Sequence, residues 1–175
     1  MALEQCLTAP NGRQITLNTG LFINNSFVAG SACPIATIDP AHENEICVVQ
    51  AASADDVDKA VKAARAAFQQ PGWRNIRPGD RGALLYRLAD LINENKELLA
   101  TLEAWDGGKP YSTALNEDVG EVVSTIRYYA GWADKLTGQT ITKAGYESLK
   151  FAYTIKQPIG VCAQIIPWNY PLSKL

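Results

Sequence analysis

The stretch PIGVCAQIIPWNYPL at residues 158–172 decides the fold class of this 175-residue chain. Its centre, residues 161–166, is a short and nearly continuous apolar run that ends at Pro167. Such a run is typical of a strand buried on both faces, as in a parallel sheet. The polar groups of the following Pro-Trp-Asn-Tyr-Pro turn would then lie at the carboxyl end of a strand, where ligands bind in open α/β sheets. The stretch therefore predicts an α/β fold with a ligand site at this turn.

Three amphipathic helices are predicted before this stretch. Apolar residues recur with helical spacing from Ser53, the expected N-cap, to Pro71, and again over residues 78–102 and 114–136. Short strands are predicted around them: a hairpin over residues 21–28 that turns at Asn24-Asn25, strands at 36–38 and 45–50, and a half-exposed strand at 149–157.

The chain divides into three predicted segments. Residues 1–19 are polar and show no clear periodicity, which predicts a flexible arm. Residues 20–157 are predicted to form a region of helices and strands, and residues 158–175 are predicted to form a buried strand and the turn that follows it. The strand needs parallel neighbours that no later residue of this sequence can provide. We therefore expect exposed apolar surface, which predicts a partner or instability.

Composition excludes several classes of protein. Hydrophobic residues make up 47% and charged residues 19%, so the chain is not disordered. A net charge of −2 argues against a nucleic-acid partner. No apolar run is long enough to span a membrane, and the first residues lack the features of a signal peptide, which predicts no membrane association. The four cysteines, at gaps of 27, 14 and 115, have no metal-ligand spacing.

Residues 158–172 closely resemble the aldehyde dehydrogenase superfamily. Further similarities occur at LFIN (residues 21–24), at WDGGKP (105–110) and at RYYAGWAD (127–134). The resemblance covers residues 20–172, roughly the first third of a family member. It implies the amino-terminal part of an aldehyde dehydrogenase-like fold, with hairpin strands, long helices and the start of a Rossmann-like parallel sheet that is incomplete. By the same resemblance, residues 20–157 correspond to the helices and strands of the cofactor-binding and oligomerisation region, and residues 158–175 to the first buried strand and Pro-Trp-Asn turn of a truncated cofactor-binding domain.

The resemblance also implies a chemistry. Family members oxidise aldehydes to carboxylic acids with NAD or NADP; a cysteine thiolate attacks the carbonyl, and a glutamate activates the water that releases the acid. Asn169 matches the residue whose amide stabilises the oxyanion of the adduct. Ile165, Ile166, Pro167 and Trp168, together with Asn169, match positions that line the nicotinamide cofactor. The alternatives are that Asn169 caps a turn and that the other four form a buried strand and an aromatic plug.

A structural cation site is a third implication of the resemblance. Thr37, Ile38 and Asp106 match positions that ligate a monovalent cation in some relatives, partly through backbone oxygens, and oxygen ligands suit a hard cation. The alternative is that these are ordinary loop groups that face water.

The family's catalytic cysteine, general-base glutamate and glycine-rich cofactor loop have no match in this sequence. Cys162 lies in the predicted buried strand, where a thiol is usually inert, and a pair with the one histidine, His42, is the weaker alternative. We therefore expect no activity from the chain alone. The alternative function is a non-catalytic interaction module that docks on full-length subunits, or on a second copy, because the family assembles as dimers and tetramers.

The last three residues, Ser173-Lys174-Leu175, match a peroxisomal address that an import receptor reads. Two interpretations remain open: a short product with a real address, or a truncated sequence that ends this way by accident. The first predicts a peroxisomal location and the second a cytoplasmic one.

Overall fold

The computed structural model describes residues 3–142 and 151–174. Strands in this part of the chain pair only as two-stranded antiparallel hairpins. The pairs are β1 (Glu4–Thr8) with β2 (Gln14–Asn18), β3 (Leu21–Ile23) with β4 (Ser26–Val28), β5 (Ile35–Ile38) with β6 (Glu45–Val49), and β7 (Thr140–Ile141) with β8 (Ala152–Tyr153). The fold is therefore mixed α/β, and the described residues contain no parallel sheet.

Helices occupy the middle of the chain. They are α1 (Ala54–Gln69), α2 (Pro71–Arg74), α3 (Pro78–Glu94), α4 (Lys96–Gly107), α5 (Tyr111–Thr113), a π-helical turn (Ala114–Asp118) and α6 (Val119–Trp132). The helix predicted over residues 78–102 is thus two helices, separated at Asn95. The Leu91 carbonyl accepts from Asn95 twice, from the side-chain amide at 2.8 Å and from the backbone amide at 3.1 Å, and a side-chain bond of this kind to the preceding turn favours a bend or an end of a helix. The helix predicted over 114–136 ends earlier, at Trp132.

The first helix begins as predicted. The Ser53 hydroxyl accepts from the Asp56 amide, and the Asp56 carboxylate accepts from the Ser53 amide at 3.1 Å, which completes a capping box. Asp56 is buried and also accepts from the amide and hydroxyl of Ser31 and from Lys59. Hydrogen bonds from Ser31, followed by those from Lys59 and Ser53, hold the pKa of Asp56 far below its ordinary range. The carboxylate therefore fixes the preceding loop to α1.

The hairpin turn at Asn24-Asn25 is also confirmed. Both residues have positive φ, 51° and 60°, as a two-residue type I′ turn requires. This turn sets the register of β3 and β4, in which Phe22 lies opposite Phe27.

The prediction of a flexible arm over residues 1–19 is wrong for the residues that the structure describes, because β1 and β2 form a hairpin there. Gly12, with φ of 82°, turns the chain, and its amide donates to the Ala9 carbonyl at 2.8 Å. Ile15 is buried, and the side chain of Gln5 donates to the Val48 carbonyl at 3.0 Å, which attaches the hairpin to β6. The contact between Gln5 and Val48 is long-range, so the polar composition of the segment does not reveal it.

Two places in the core hold the helices together. Helices α3 and α6 pack closely at Gly82, where an added Cβ would lie 2.9 Å from the Ala130 carbonyl oxygen. A second cluster joins α4, the π-helical turn and α6 through Ala100, Ala114 and Val119, and Leu172 packs against it. Leu172 therefore ties the carboxyl-terminal stretch to the helices. None of the described helices is both long enough and apolar enough to cross a membrane.

The buried strand predicted at residues 161–166 does not form. Ile165 is 96% exposed, and Cys162, expected to be buried, is also exposed. A strand exists through hydrogen bonds to a neighbouring strand, and the described residues offer none at this place. The sequence analysis expected exposed apolar surface if the parallel neighbours of this strand were missing, and residues 161–165 are exposed. The strand predicted at 149–157 is limited to Ala152–Tyr153, and residues 149–150 lie outside the described residues.

Candidate functional site

Lys109 holds the Pro-Trp-Asn-Tyr-Pro turn against the helices. Its ammonium donates to the backbone carbonyl of Asn169 at 3.0 Å. The same ammonium lies 4.4 Å from the centroid of the Tyr170 ring, within the range of a cation–π contact. Two consecutive residues of the turn are therefore fixed by one side chain.

Two buried carboxylates fix Lys109 in turn. Its Nζ lies 3.1 Å from Glu103 Oε1 and 2.6 Å from Asp118 Oδ2, and these side chains are only 5% and 3% exposed. Burial lowers the pKa of Lys109, but the hydrogen bonds to Asp118 and Glu103 outweigh burial and raise this pKa above its ordinary value. Lys109 is therefore charged at neutral pH.

The backbone conformation around Gly108 determines the position of Lys109. Gly108 follows α4 with φ of 66°, the left-handed conformation that glycine adopts at the end of a helix. Pro110 then precedes α5 as its N-cap. The chain reverses within these residues, so Lys109 lies between Glu103 on α4 and Asp118 in the π-helical turn.

The side chain of Asn169 is exposed. In the described part of the chain its amide has no hydrogen-bond partner, while its backbone carbonyl is held by Lys109. No capping hydrogen bond of the kind expected for a turn asparagine occurs there. An amide with free donors can stabilise a developing negative charge on an oxygen. The oxyanion role of Asn169 stays a prediction that this geometry permits.

The predicted cofactor residues form an open edge. Ile165 and Trp168 are 96% and 83% exposed, Pro167 is exposed, and Ile166 is half-buried. Trp168 is thus not an aromatic plug in this structure. The described residues provide no opposing wall, and the sequence contains no G-x-G-x-x-G loop for phosphates. The described residues therefore do not enclose a dinucleotide, and the cofactor role of these residues stays a prediction.

A cavity of about 550 Å³ lies beneath this edge. Thr37 and Asp106, two of the three predicted cation ligands, line it together with Ile166, whereas Ile38 does not. Thr37 donates its hydroxyl hydrogen to the Cys47 carbonyl oxygen at 3.3 Å. Among the described residues, no group of three or more His, Cys, Asp or Glu side chains could hold a metal ion. The predicted ligands are partly backbone oxygens, so the cation site stays a prediction.

His42 and Cys162 do not form the pair considered as an alternative. His42 Nδ1 lies 2.9 Å from the Asp39 carboxylate, and the thiol of Cys162 faces the Gly160 carbonyl. The hydrogen bond from His42, followed by one from the Ala41 amide, lowers the pKa of Asp39. His42 therefore contacts Asp39 within its own loop, residues 39–42.

The sequence analysis missed the role of Lys109, Glu103 and Asp118. Two signals were available: Lys109 lies in the WDGGKP stretch (105–110) that resembles the family, and acidic residues lie six positions before it and nine after it. Neither signal indicates that Lys109 contacts Asn169. The predicted address at the end of the chain includes Leu175, which lies outside the described residues. The peroxisomal location and the import receptor therefore stay predictions.

Comparison with known proteins identifies relatives. The sequence model of the aldehyde dehydrogenase family matches residues 27–175. Human aldehyde dehydrogenase 1A1 is 50% identical over 161 residues, which cover 90% of this chain and 31% of that protein. An aldehyde dehydrogenase of Alternaria alternata is 48% identical over 167 residues, which cover 95% of this chain and 33% of that protein.

Comparison with solved structures also identifies an aldehyde dehydrogenase. The NAD⁺ complex of an aldehyde dehydrogenase from Bacillus cereus has a TM-score of 0.82 at 46% identity, with 89% of this chain and 31% of that chain covered. The chain spans about a third of the length of the relatives it matches. On these matches, the chain belongs to the aldehyde dehydrogenase family and corresponds to its amino-terminal portion.

Proposed function

We propose that this chain contributes the oxyanion-stabilising amide and the nicotinamide-facing edge of an aldehyde dehydrogenase that oxidises aldehydes to carboxylic acids with NAD or NADP. The observation that carries the proposal is the state of Asn169. Its backbone is held by Lys109 at 3.0 Å, while its side-chain amide is exposed and free among the described residues. The family membership and the NAD⁺ complex of the Bacillus cereus relative support it.

The role of Asn169 is electrostatic. When a nucleophile adds to an aldehyde, the carbonyl oxygen gains negative charge, and an amide N–H fixed beforehand donates to it without reorganisation. Loss of one such donor typically costs about 2.7–4 kcal/mol, or 10²–10³-fold in rate. The hydrogen bond from Lys109 holds the backbone of Asn169 in position. Only the side-chain rotamer of Asn169 then needs to change for its amide to reach the oxygen.

The chain does not hold the whole reaction. The only hydrogen-bond partner of Asn169 among the described residues is Lys109. Cys47 is buried and faces the Thr37 hydroxyl, so it is not placed as a nucleophile. We propose that further polypeptide brings the thiolate and the general base.

A chimera tests the proposal. In this chimera, the part of the chain that matches human aldehyde dehydrogenase 1A1 replaces the corresponding segment of that enzyme. The rate at which the chimera forms NADH from acetaldehyde and NAD⁺ would then be measured. Asn169→Ala should lower kcat about 10²–10³-fold. Asn93→Ala, which truncates an exposed asparagine on α3, is the matched control and should leave kcat unchanged. A kcat for Asn169→Ala equal to that of the control would exclude the oxyanion role.

A second candidate function rests on exposed apolar surface. Tyr128, Tyr129 and Trp132 are all exposed on one end of α6, and Ile165 and Trp168 are exposed on the carboxyl-terminal stretch. Contiguous apolar surface of this kind is typical of an interaction site. We propose as the alternative that the chain docks on full-length subunits of its own family without catalysis.

Co-expression with a full-length relative distinguishes the two functions. Docking predicts that the tagged chain retains the relative on purification and changes its activity. A Tyr128→Ser and Trp132→Ser variant should reduce that retention. If the relative neither co-purifies nor changes activity, the docking function is wrong.

A further inference from the structure

The Lys109 ammonium uses all of its hydrogen-bonding capacity at one junction. A lysine ammonium has three donors, and three oxygens accept from it: Glu103 Oε1, Asp118 Oδ2 and the backbone carbonyl of Asn169. Two of these acceptors belong to the helical region, and the third belongs to the turn 60 residues further along the chain. We propose that Lys109 is a positioning residue that sets the location of the Asn169 amide; this inference rests on the proposed function of Asn169.

Within the described residues, the hydrogen bond from Lys109 to the Asn169 carbonyl has no equivalent in the carboxyl-terminal stretch. Of the hydrogen bonds that residues 158–174 form there, only that from Lys109 reaches another part of the chain; the others join neighbours within the stretch, such as Lys174 with Tyr170. Apolar packing of Leu172 holds the far side of the turn. Apolar packing limits distance but not direction. Lys109 therefore provides the directional contact that orients the Asn169 backbone.

The competing explanation is that Lys109 serves only as a counterion. Glu103 and Asp118 are buried, and removal of their cation would leave two uncompensated charges. A simple Lys109→Met variant could then fail to fold for reasons unrelated to Asn169. Neutral carboxylate isosteres separate the two explanations, because Glu103→Gln and Asp118→Asn remove the need for a cation and keep the size of both side chains.

The first test uses the 175-residue chain itself. In the Glu103→Gln/Asp118→Asn background, Lys109 can still donate to Asn169. Adding Lys109→Met should release the turn, so that chymotrypsin cleaves after Trp168 at least about threefold faster, because proteolysis follows the population of the open form. Cleavage after Tyr153, outside the turn, serves as the internal reference and should keep its rate. Equal cleavage after Trp168 in the double and triple variants would overturn the proposal.

The second test measures catalysis in the chimera with human aldehyde dehydrogenase 1A1. Relative to the double variant, the triple variant should lose roughly tenfold or more in kcat, since small misplacement of a reacting group is costly. KM for NAD⁺ and for the aldehyde should change by less than about twofold, because ground-state binding is not affected. Lys62→Met, an exposed lysine on α1, is the matched control.

A double-mutant cycle shows whether Lys109 acts through Asn169. Asn169→Ala should reduce kcat much less in the triple variant than in the double variant, because residues that act as a unit are not additive. Independent, multiplying effects, or full kcat in the triple variant, would overturn the positioning role. If Asn169→Ala has no effect in the unaltered chimera, the proposed function itself fails, and this outcome is distinct from a failure of Lys109 alone.

Discussion

Replacement of Gly82 by alanine tests the packing that supports the site. In an exposed helix, Gly→Ala raises stability by about 1 kcal/mol because glycine loses more backbone entropy on folding. At Gly82 the new Cβ would lie 2.9 Å from the Ala130 carbonyl oxygen and 3.4 Å from the Ala133 Cβ. The first of these neighbours is backbone, so α3 and α6 must move apart.

The two effects oppose each other, and the structure decides which one dominates. Overpacking of a close contact costs about 1–3 kcal/mol, so Gly82→Ala should leave the free energy of unfolding unchanged or lower it by up to about 2 kcal/mol. Gly120 on α6 is exposed, and within the described part of the chain a Cβ added there would meet no neighbouring side chain or loop within 4 Å. Gly120→Ala should therefore raise the free energy of unfolding by about 0.5–1 kcal/mol.

Urea unfolding followed by far-ultraviolet circular dichroism measures both variants. We expect Gly82→Ala to be less stable than Gly120→Ala by about 0.5–3 kcal/mol, with equal m-values. Equal stabilisation by the two substitutions would refute the close approach of α3 and α6 at Gly82.

Two further substitutions test the loops around the site. Asp56→Asn should lower the free energy of unfolding at neutral pH. The folded-state pKa of Asp56 is depressed, so its contribution is present above the unfolded pKa of about 3.9 and is lost as the pH falls from there towards the folded pKa. Urea titrations at neutral and acidic pH should show the variant and the original chain converging, and a constant difference would contradict this. Gly108→Ala should lower the free energy of unfolding by about 1–2 kcal/mol, because φ is 66° and the Cβ would meet Pro40. Thermal unfolding beside Gly107→Ala, whose Cβ would lie at an ordinary contact distance of 3.6 Å from Lys109 Cε, checks it.

Features with local causes could be predicted from the sequence. The helix after Ser53 follows from its cap and from apolar spacing, and the turn at Asn24-Asn25 follows from the tolerance of asparagine for positive φ. The break at Asn95 also has a local cause, a side chain that bonds the preceding turn, but a continuous apolar stripe concealed it.

Features that depend on distant partners could not be predicted in the same way. The hairpin over residues 4–18 is attached by the contact between Gln5 and Val48, which no local pattern indicates. The apolar run at 161–166 has the composition of a buried strand, yet it forms no strand because a ladder needs a neighbour.

The candidate site likewise contains one residue that the sequence could indicate and one that it could not. Asn169 could be proposed because the long motif around it resembles a family motif. Lys109 could not be proposed, because its contact with Asn169 spans 60 residues and depends on the turn at Gly108 and on two buried carboxylates. The motif thus predicts which residue is placed in the site, and the fold determines what holds it there.

The measurement that tests the central claim most directly is NADH formation from acetaldehyde and NAD⁺ by the purified 175-residue chain and by its chimera with human aldehyde dehydrogenase 1A1, side by side. The account predicts steady NADH formation by the chimera and none above background by the chain alone, because the chain contributes Asn169 and its support but not the nucleophile. Sustained NADH formation by the isolated chain would contradict the account, most directly if a substitution of one of its own cysteines abolished that activity.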